Sequence, residues 1–225
     1  GWVDPDQVRM ILSQAGLPWI VLEGNPDSHD IRDTLLKFLS VEKNSVSDAL
    51  VIPIDQHFVV QGIGLVGIGY VQSGSVSKHD AIESHPAGDC GIVRSLQVMD
   101  DDVDTAVTGD RVGLALRNLK EESLHKGCMI VHQDSDTIES HESSRFRLIG
   151  APFQKRVLSL DDVVHAAADL QFNVGRVREV EEDSVLIDWE SPLLLRKRGT
   201  GPILIVHLDA VPMRIMGIAS EMTSV

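Results

Sequence analysis

The stretch "FVVQGIGLVGIGYVQSGSVSKHD", residues 58–80, decides the fold. Its Gly62-Ile63-Gly64-Leu65-Val66-Gly67 spells G-x-G-x-x-G, which cradles a pyrophosphate only where a strand enters the glycines and a helix leaves them. What leaves here is Ile-Gly-Tyr-Val-Gln-Ser-Gly-Ser-Val-Ser, two more glycines in a serine-rich, β-branched run of poor helix propensity. Extended chain fits better, with Val59, Gln61, Ile63 and Leu65 alternating against Phe58, Val60 and Gly62. Glycine inside a strand marks a bend, a bulge or a close backbone approach. The stretch therefore predicts two strongly bent strands at a barrel corner, then a turn at Gln72-Ser73-Gly74-Ser75 and a further strand.

From residue 49 onward the texture stays the same: short apolar runs punctuated by glycine and proline, which argues all-β. Strands are expected over 50–54, 57–63, 64–72, 80–84, 92–100, 111–117 and 127–131. The polar run "HQDSDTIESHESS" (132–144) has no hydrophobic period and reads as a linker. A second β block follows over 143–225. Residues 1–48 differ. Asp4-Pro5 caps a helix over Asp6–Gln14, "PWIVLEGN" reads as a buried strand, and Ser28 or Asp30 caps a helix whose apolar stripe is Ile31, Leu35, Leu36 and Leu39. One strand in 48 residues cannot build its own sheet, so this piece either packs on the rest of the chain or, as favoured here, is the tail of an α/β domain. The expected fold is mainly β, two tandem barrels (49–135 and 143–225) after a partial α/β helix–strand–helix segment (1–48).

The formal net charge of the 225 residues is −14, which argues against generic nucleic-acid binding and against DNA. The charge is uneven. Residues 49–142 carry 15 acids and 6 bases, and 143–225 carry 11 acids and 10 bases. A phosphate-contacting surface is thus expected on the second block, at Arg145, Arg147, Arg176, Arg178, Arg196, Lys197 and Arg198, with Lys155/Arg156 as a further basic pair. Two cysteines, Cys90 and Cys128, are too few for a disulfide framework, and no apolar run is long enough to cross a bilayer as a helix.

Catalytic patterns are missing from the residues. No G-x-x-x-x-G-K-[ST], no Asn-Lys-x-Asp, no G-x-S-x-G and no H-E-x-x-H occurs. Asp110-Arg111-Val112-Gly113 spells D-x-x-G but sits in strand texture. His125, Cys128, His132 and His141 lack the spacing of a zinc finger, and Asp100-Asp101-Asp102-Val103-Asp104 lacks the glycine and glutamate of a calcium loop. It reads as a hairpin tip. No metal or cofactor is expected in this chain.

The order of motifs resembles the translation elongation GTPases. "VIPIDQHFVVQGIGLVGIGYVQSGSVSKHDAIESHPAG" and "GIVRSLQVMDDDVDTAVTGDRVGLALRNLKEESLHKGCMIV" are similar to domain II of elongation factor Tu and of the selenocysteine-specific elongation factors. They run Pro-x-Asp-x-x-Phe, G-x-G-x-V, x-S-G, V-R-S-x-Q, A-x-x-G-D-R-V-G-L-x-L and a final Lys-Gly turn. "VPMRIMGIAS" resembles the closing R-x-x-G strand of domain III, and residues 1–48 the last helix–strand–helix of the G domain. The resemblance implies two barrels that hold tRNA or touch the ribosome in the cytoplasm, with GTP and Mg²⁺ only if a G domain lies upstream. It carries Gln97 to the place where a polar residue meets the terminal adenosine of aminoacyl-tRNA, with Arg94 and Val98 beside it on the strand. The chain departs from the family at Ile63 and Leu65, where arginine and threonine are usual, at Tyr70, where arginine is usual, and at Leu22-Glu23-Gly24-Asn25, where a guanine-contacting Ser-Ala loop is usual. The leading expectation is an RNA-binding, translation-factor-like module without catalysis. Two others stand beside it: a degenerate factor that docks a protein through its acidic first barrel, and a small-molecule site at the corner Gly62–Gly69.

Overall fold

The structure is a computed structural model that describes residues 4–13, 22, 24–39, 49–152, 154–198, 201–211 and 213–225. The chain divides into two compact units, Gly1–Ser45 and Val46–Val225. In the first, α1 (Pro5–Ser13) and α2 (Ser28–Leu39) are helical. Asp4 caps α1 as expected, its Oδ1 accepting from the Asp6 N–H at 3.0 Å. The cap of α2 is Asp27, not Ser28 or Asp30. Asp27 Oδ1 accepts from the N–H groups of His29 (2.8 Å) and Asp30 (2.9 Å), and Asp30 reaches back to the Asp27 N–H, a capping box written with two carboxylates. The expected strand at 18–25 falls largely outside the described residues.

The second unit holds both barrels. The first contains β1 (Ile52–Val60), β2 (Gly64–Tyr70), β3 (Ser75–Ser77), β4 (Ala81–His85), β5 (Asp89–Val98), β6 (Asp101–Val103), β7 (Thr105–Val107), β8 (Arg111–Arg117) and β9 (Met129–His132). Strands β4-β9-β1-β2-β8-β5 follow one another around the sheet, β5 pairs back to β4 and closes the ring, β6 hangs on β5, and β3 pairs with β7. Alternate residues of β2, β4, β5 and β8 turn inward, and Ile52, Ile54, Leu65, Ile82, Val93, Leu96, Val112 and Leu114 form its core.

The opening glycines do what a bent hairpin needs. β1 and β2 pair antiparallel, and Gly62 (φ +82°) and Gly64 (φ +103°) form their turn in the left-handed region open to glycine. No helix follows, so the pyrophosphate-binding reading is excluded. Gly69 meets the third need: a Cβ there would overlap the Pro53 carbonyl oxygen and sit 2.7 Å from Ile52 Cγ2. The two strands expected over 50–54 and 57–63 are one strand, because a bulge between Ile54 and Gln56 lets the chain bend without breaking the ladder.

The second barrel contains β10 (Ile138–Gly150), β11 (Val163–Ala168), β12 (Gln171–Val180), β13 (Val185–Arg196), β14 (Ile203–Val206) and β15 (Ile215–Ser224), closed in the order β10-β13-β12-β11-β14-β15. Phe146, Val164, Val177, Ile187, Leu193, Ile205 and Met216 fill it. The linker expected over 132–144 is corrected here, since residues from Ile138 onward already lie in β10. Its inward positions are polar, which hid the strand. His141 and Ser144 are buried. Trp189 Nε1 donates to Ser144 Oγ at 2.9 Å, and Ser144 lies 3.2 Å from His141 Nδ1. The indole donates to the hydroxyl, which has a second lone pair and its own proton to meet the imidazole nitrogen in either tautomer. Ser144→Ala is expected to destabilise the barrel by about 2 kcal/mol, because it strands a buried indole N–H and a ring nitrogen; urea unfolding of wild type and variant measures it. Between the barrels, Val51, Met129 and Val131 meet Leu194, with Ile138 packed against them.

Candidate nucleic-acid interface

On β5 a bulge between Val93 and Ser95 shifts the register, so that Arg94 and Gln97 both face outward. Val98 faces the other way and packs against the first core. Across the outer surface one cross-strand row runs Gln56, Ile68, Gly113, Gln97, Asp102, and the next runs Phe58, Val66, Ala115, Ser95. Gly113 gives the surface a low floor between the apolar side chains of Phe58, Val66 and Ile68 and the amide of Gln97, with Ala115 buried next to it. Nε2 of Gln97 donates to Asp102 Oδ1 at 3.0 Å; the amide oxygen has no hydrogen bond among the described residues. Arg94 is used structurally: Nη1 donates to the Ile63 carbonyl at 2.7 Å and lies 3.5 Å from that of Gly62, pinning the β1–β2 turn. The floor and its apolar neighbours were not singled out in the sequence. The alternation of β2 and β8 held that information only once their pairing was known.

The basic residues of the second barrel fall into separate places. Arg145, Arg176 and Arg178 share the outer face of β10, β13 and β12 around Asp188. Arg145 pairs with Glu179 and with Glu181 (3.4 Å), and the Glu179 hydrogen bond raises its pKa. Arg178 Nε lies 2.6 Å from Asp188, and Arg176 donates to the Asp161 carbonyl at 3.1 Å. At the far end of β13, Arg196 makes a two-pronged bridge to Asp169 (2.9 and 3.2 Å) and Lys197 pairs with Asp136. Arg147 and Arg198 are exposed and make no ion pair among the described residues. The expected basic surface is therefore mostly neutralised by carboxylates that approach it from neighbouring strands and loops, which a count along the chain does not reveal. Among the described residues no His, Cys, Asp and Glu group is arranged to hold a metal ion, and no helix is long and apolar enough to cross a membrane.

Four carboxylates, Asp89, Asp104, Asp162 and Asp188, are held below their ordinary pKa of 3.8. Asp89 is lowered by the Lys120 N–H and then the Ser123 hydroxyl, Asp188 by the Ser143 hydroxyl and then Arg178. A lowered folded-state pKa means that the unfolded chain binds more protons in acid. This stabilisation is fully present above the unfolded pKa and is lost as pH falls through the folded one. Stability is expected to decline below about pH 4, and Asp89→Asn to flatten part of that slope, read as the urea midpoint against pH.

Residues 64–131 match the family model "Elongation factor Tu domain 2". An uncharacterized protein of Methanocaldococcus jannaschii, MJ0325, is 27% identical over 96% of this chain and 68% of its own length. The selenocysteine-specific elongation factor of the same organism is 28% identical over 64% of this chain and 32% of its own. The crystal structure of a bacterial selenocysteine-specific elongation factor superposes with a TM-score of 0.76 at 19% identity, over 97% of this chain and 37% of that one. The chain thus spans about a third of these elongation factors, and the structural match shows the shared fold. The first barrel matches the elongation factor Tu domain 2 family over residues 64–131, and the chain as a whole shares its paired-barrel fold with a selenocysteine-specific elongation factor.

Proposed function

We propose that this chain is the RNA-binding part of a translation factor, holding the 3′ end of an aminoacyl-tRNA on the outer face of the first barrel. The observation that supports it is the row from Ile68 through Gly113 to Gln97: a low apolar floor ending in an amide, inside the segment that matches domain II. A terminal base stacks or slots against apolar groups and is fixed by one or two hydrogen bonds. Such a site works on a barrel whose residues 49–135 carry 12 acids and 6 bases, because it reads the base by apolar contact and hydrogen bonds. In this reading the chain carries no catalysis or cofactor of its own and works in the cytoplasm with tRNA or the ribosome, with GTP and Mg²⁺ involved only if a G domain is joined to it.

The test is a titration of labelled tRNA over a range of salt. If Arg147 and Arg198, two of the exposed cations without an ion pair among the described residues, both meet phosphates, together they add about −2 to the slope of log K against log salt, about −0.9 for each contact. Arg147→Ala with Arg198→Ala should remove that part of it. A slope unchanged by both substitutions would place the phosphate contacts elsewhere.

A second reading rests on the β5–β6 hairpin. Met99 (φ +52°) and Asp100 (φ +69°) make its turn, Met99 is 90% exposed, and Asp101, Asp102 and Asp104 follow. An acidic hairpin with an apolar tip suits a basic protein partner. That reading predicts no tRNA binding and retention of a basic ribosomal protein that is lost when Asp100 and Asp101 become asparagine.

A further inference from the structure

The seam between the barrels holds a cavity of about 500 Å³ whose lining includes Pro86, Lys126, Phe172 and Pro192, a size in the range of small-ligand sites. We infer that it is a site for a single unstacked nucleotide, its base on Phe172 and its phosphate toward Lys126 and His125. This rests on the RNA-binding reading above and extends it to a second place on the molecule.

Phe172 is the stacking platform. Aromatic residues make up only 4% of the chain, yet this one is 52% exposed at the mouth of the cavity. One face of its ring is already stacked on His165, with centroids 4.5 Å apart and planes 20° from parallel. The ring is therefore held in a fixed orientation, which lowers the cost of placing a base on it. An exposed aromatic of this kind is the usual partner of an unstacked base.

The wall that presents Phe172 is built rigidly. Its hairpin turns through Asp169 and Leu170, both left-handed, and Asp169 is tied to Arg196 by the two-pronged bridge. Gln171 is fixed to Leu194 in both directions, Nε2 donating to its carbonyl at 2.8 Å and Oε1 accepting from its N–H at 2.9 Å. Asn173 Nδ2 donates to the carbonyls of Ser191 and Pro192. From the first barrel, Gly127 (φ +86°) lies so close that an added Cβ would be 3.1 Å from Gln171 Cα. Beside it stands one cation. Lys126 Nζ spends one hydrogen bond on Asp55 at 3.0 Å and keeps two N–H groups for a phosphate.

The chemistry is a flat heteroaromatic ring joined to an anion, and it has two sources, a nucleotide within RNA or a free mononucleotide. The experiment is NMR titration of the isotope-labelled full chain with adenosine 5′-monophosphate, a short oligoadenylate and inorganic phosphate. We expect the mononucleotide to shift the amides of 125–127 and 170–173 in the millimolar range. Phe172→Leu, which keeps an apolar group at a half-exposed position, should weaken it about tenfold; Lys126→Ala should weaken it and leave adenosine alone unaffected. Tighter binding of the oligonucleotide identifies RNA as the source, and equal binding identifies a free nucleotide. The inference is overturned if neither nucleotide shifts those amides, or if phosphate alone reproduces the shifts and Phe172→Leu changes nothing. The two readings fail separately. Loss of nucleotide binding here with tRNA still held on the first barrel removes only the cleft site, and nucleotide shifts without tRNA binding remove only the first-barrel site.

Discussion

Gly69→Ala is expected to destabilise the first barrel by about 3 kcal/mol, while Gly67→Ala, two residues earlier, changes stability by less than about 0.5 kcal/mol. Both glycines lie in β2 and both look inward. A Cβ on Gly67 would make ordinary contacts, 3.5 Å to Ile54 Cδ1 and to Leu124 Cδ1 and 4.0 Å to Leu116 Cδ1. A Cβ on Gly69 would overlap the backbone carbonyl of Pro53 and crowd Ile52 Cγ2 at 2.7 Å and Ile54 Cδ1 at 3.2 Å. Ile52 and Ile54 are fully buried, so β1 has nowhere to retreat, and the side chains cannot relieve a clash with main chain. Urea unfolding of the two variants decides the matter. A pyrophosphate-binding loop would reverse the ranking, since Gly67 closes the G-x-G-x-x-G pattern and Gly69 lies outside it.

Asp169→Ala is expected to cost the second barrel about 3–5 kcal/mol, the range for removing one member of a buried ion pair. Arg196 and Asp169 side chains are 10% and 9% exposed and share two hydrogen bonds. Removing the carboxylate takes the nearest negative charge from a guanidinium that water barely reaches. It also takes from the turn a residue type that tolerates the left-handed backbone. Asp169→Asn keeps the turn propensity and one acceptor and should lose less. Arg178→Ala serves as the control, because its bridge to Asp188 is 50% and 43% exposed, and exposed pairs contribute under about 1 kcal/mol. Equal losses for Asp169→Ala and Arg178→Ala would mean that the 169–196 bridge carries no special weight.

The sequence was most legible where chemistry repeats along the chain. Glycine and proline punctuation and the alternation around Gly62–Tyr70 led directly to the bent hairpin, and the motif order from Pro53 to Gly127 led to the elongation-factor-like barrels. Reading failed where a strand faces a polar interior. His141 and Ser144 turn inward and join Trp189 in a polar cluster, so the beginning of β10 looked like a linker. It failed also for strands of three residues such as β3, β6 and β7, too short to show a period. For the candidate interface, Gln97 and Arg94 were found on the strand that carries them. That Arg94 is committed to the Ile63 carbonyl, and that carboxylates face Arg145, Arg178, Arg196 and Lys197, depends on partners 10 to 61 residues away along the chain. The Gln171–Leu194 clasp and the Phe172 platform at the barrel seam were invisible for the same reason.

The first-barrel site is tested most directly by fluorescence anisotropy with aminoacylated and deacylated forms of the same tRNA. Tighter binding of the aminoacylated form, lost in Gln97→Ala with folding unchanged, is the predicted result. Failure to bind either form at low salt would contradict it and leave the acidic hairpin Met99–Asp104 as the surface to pursue.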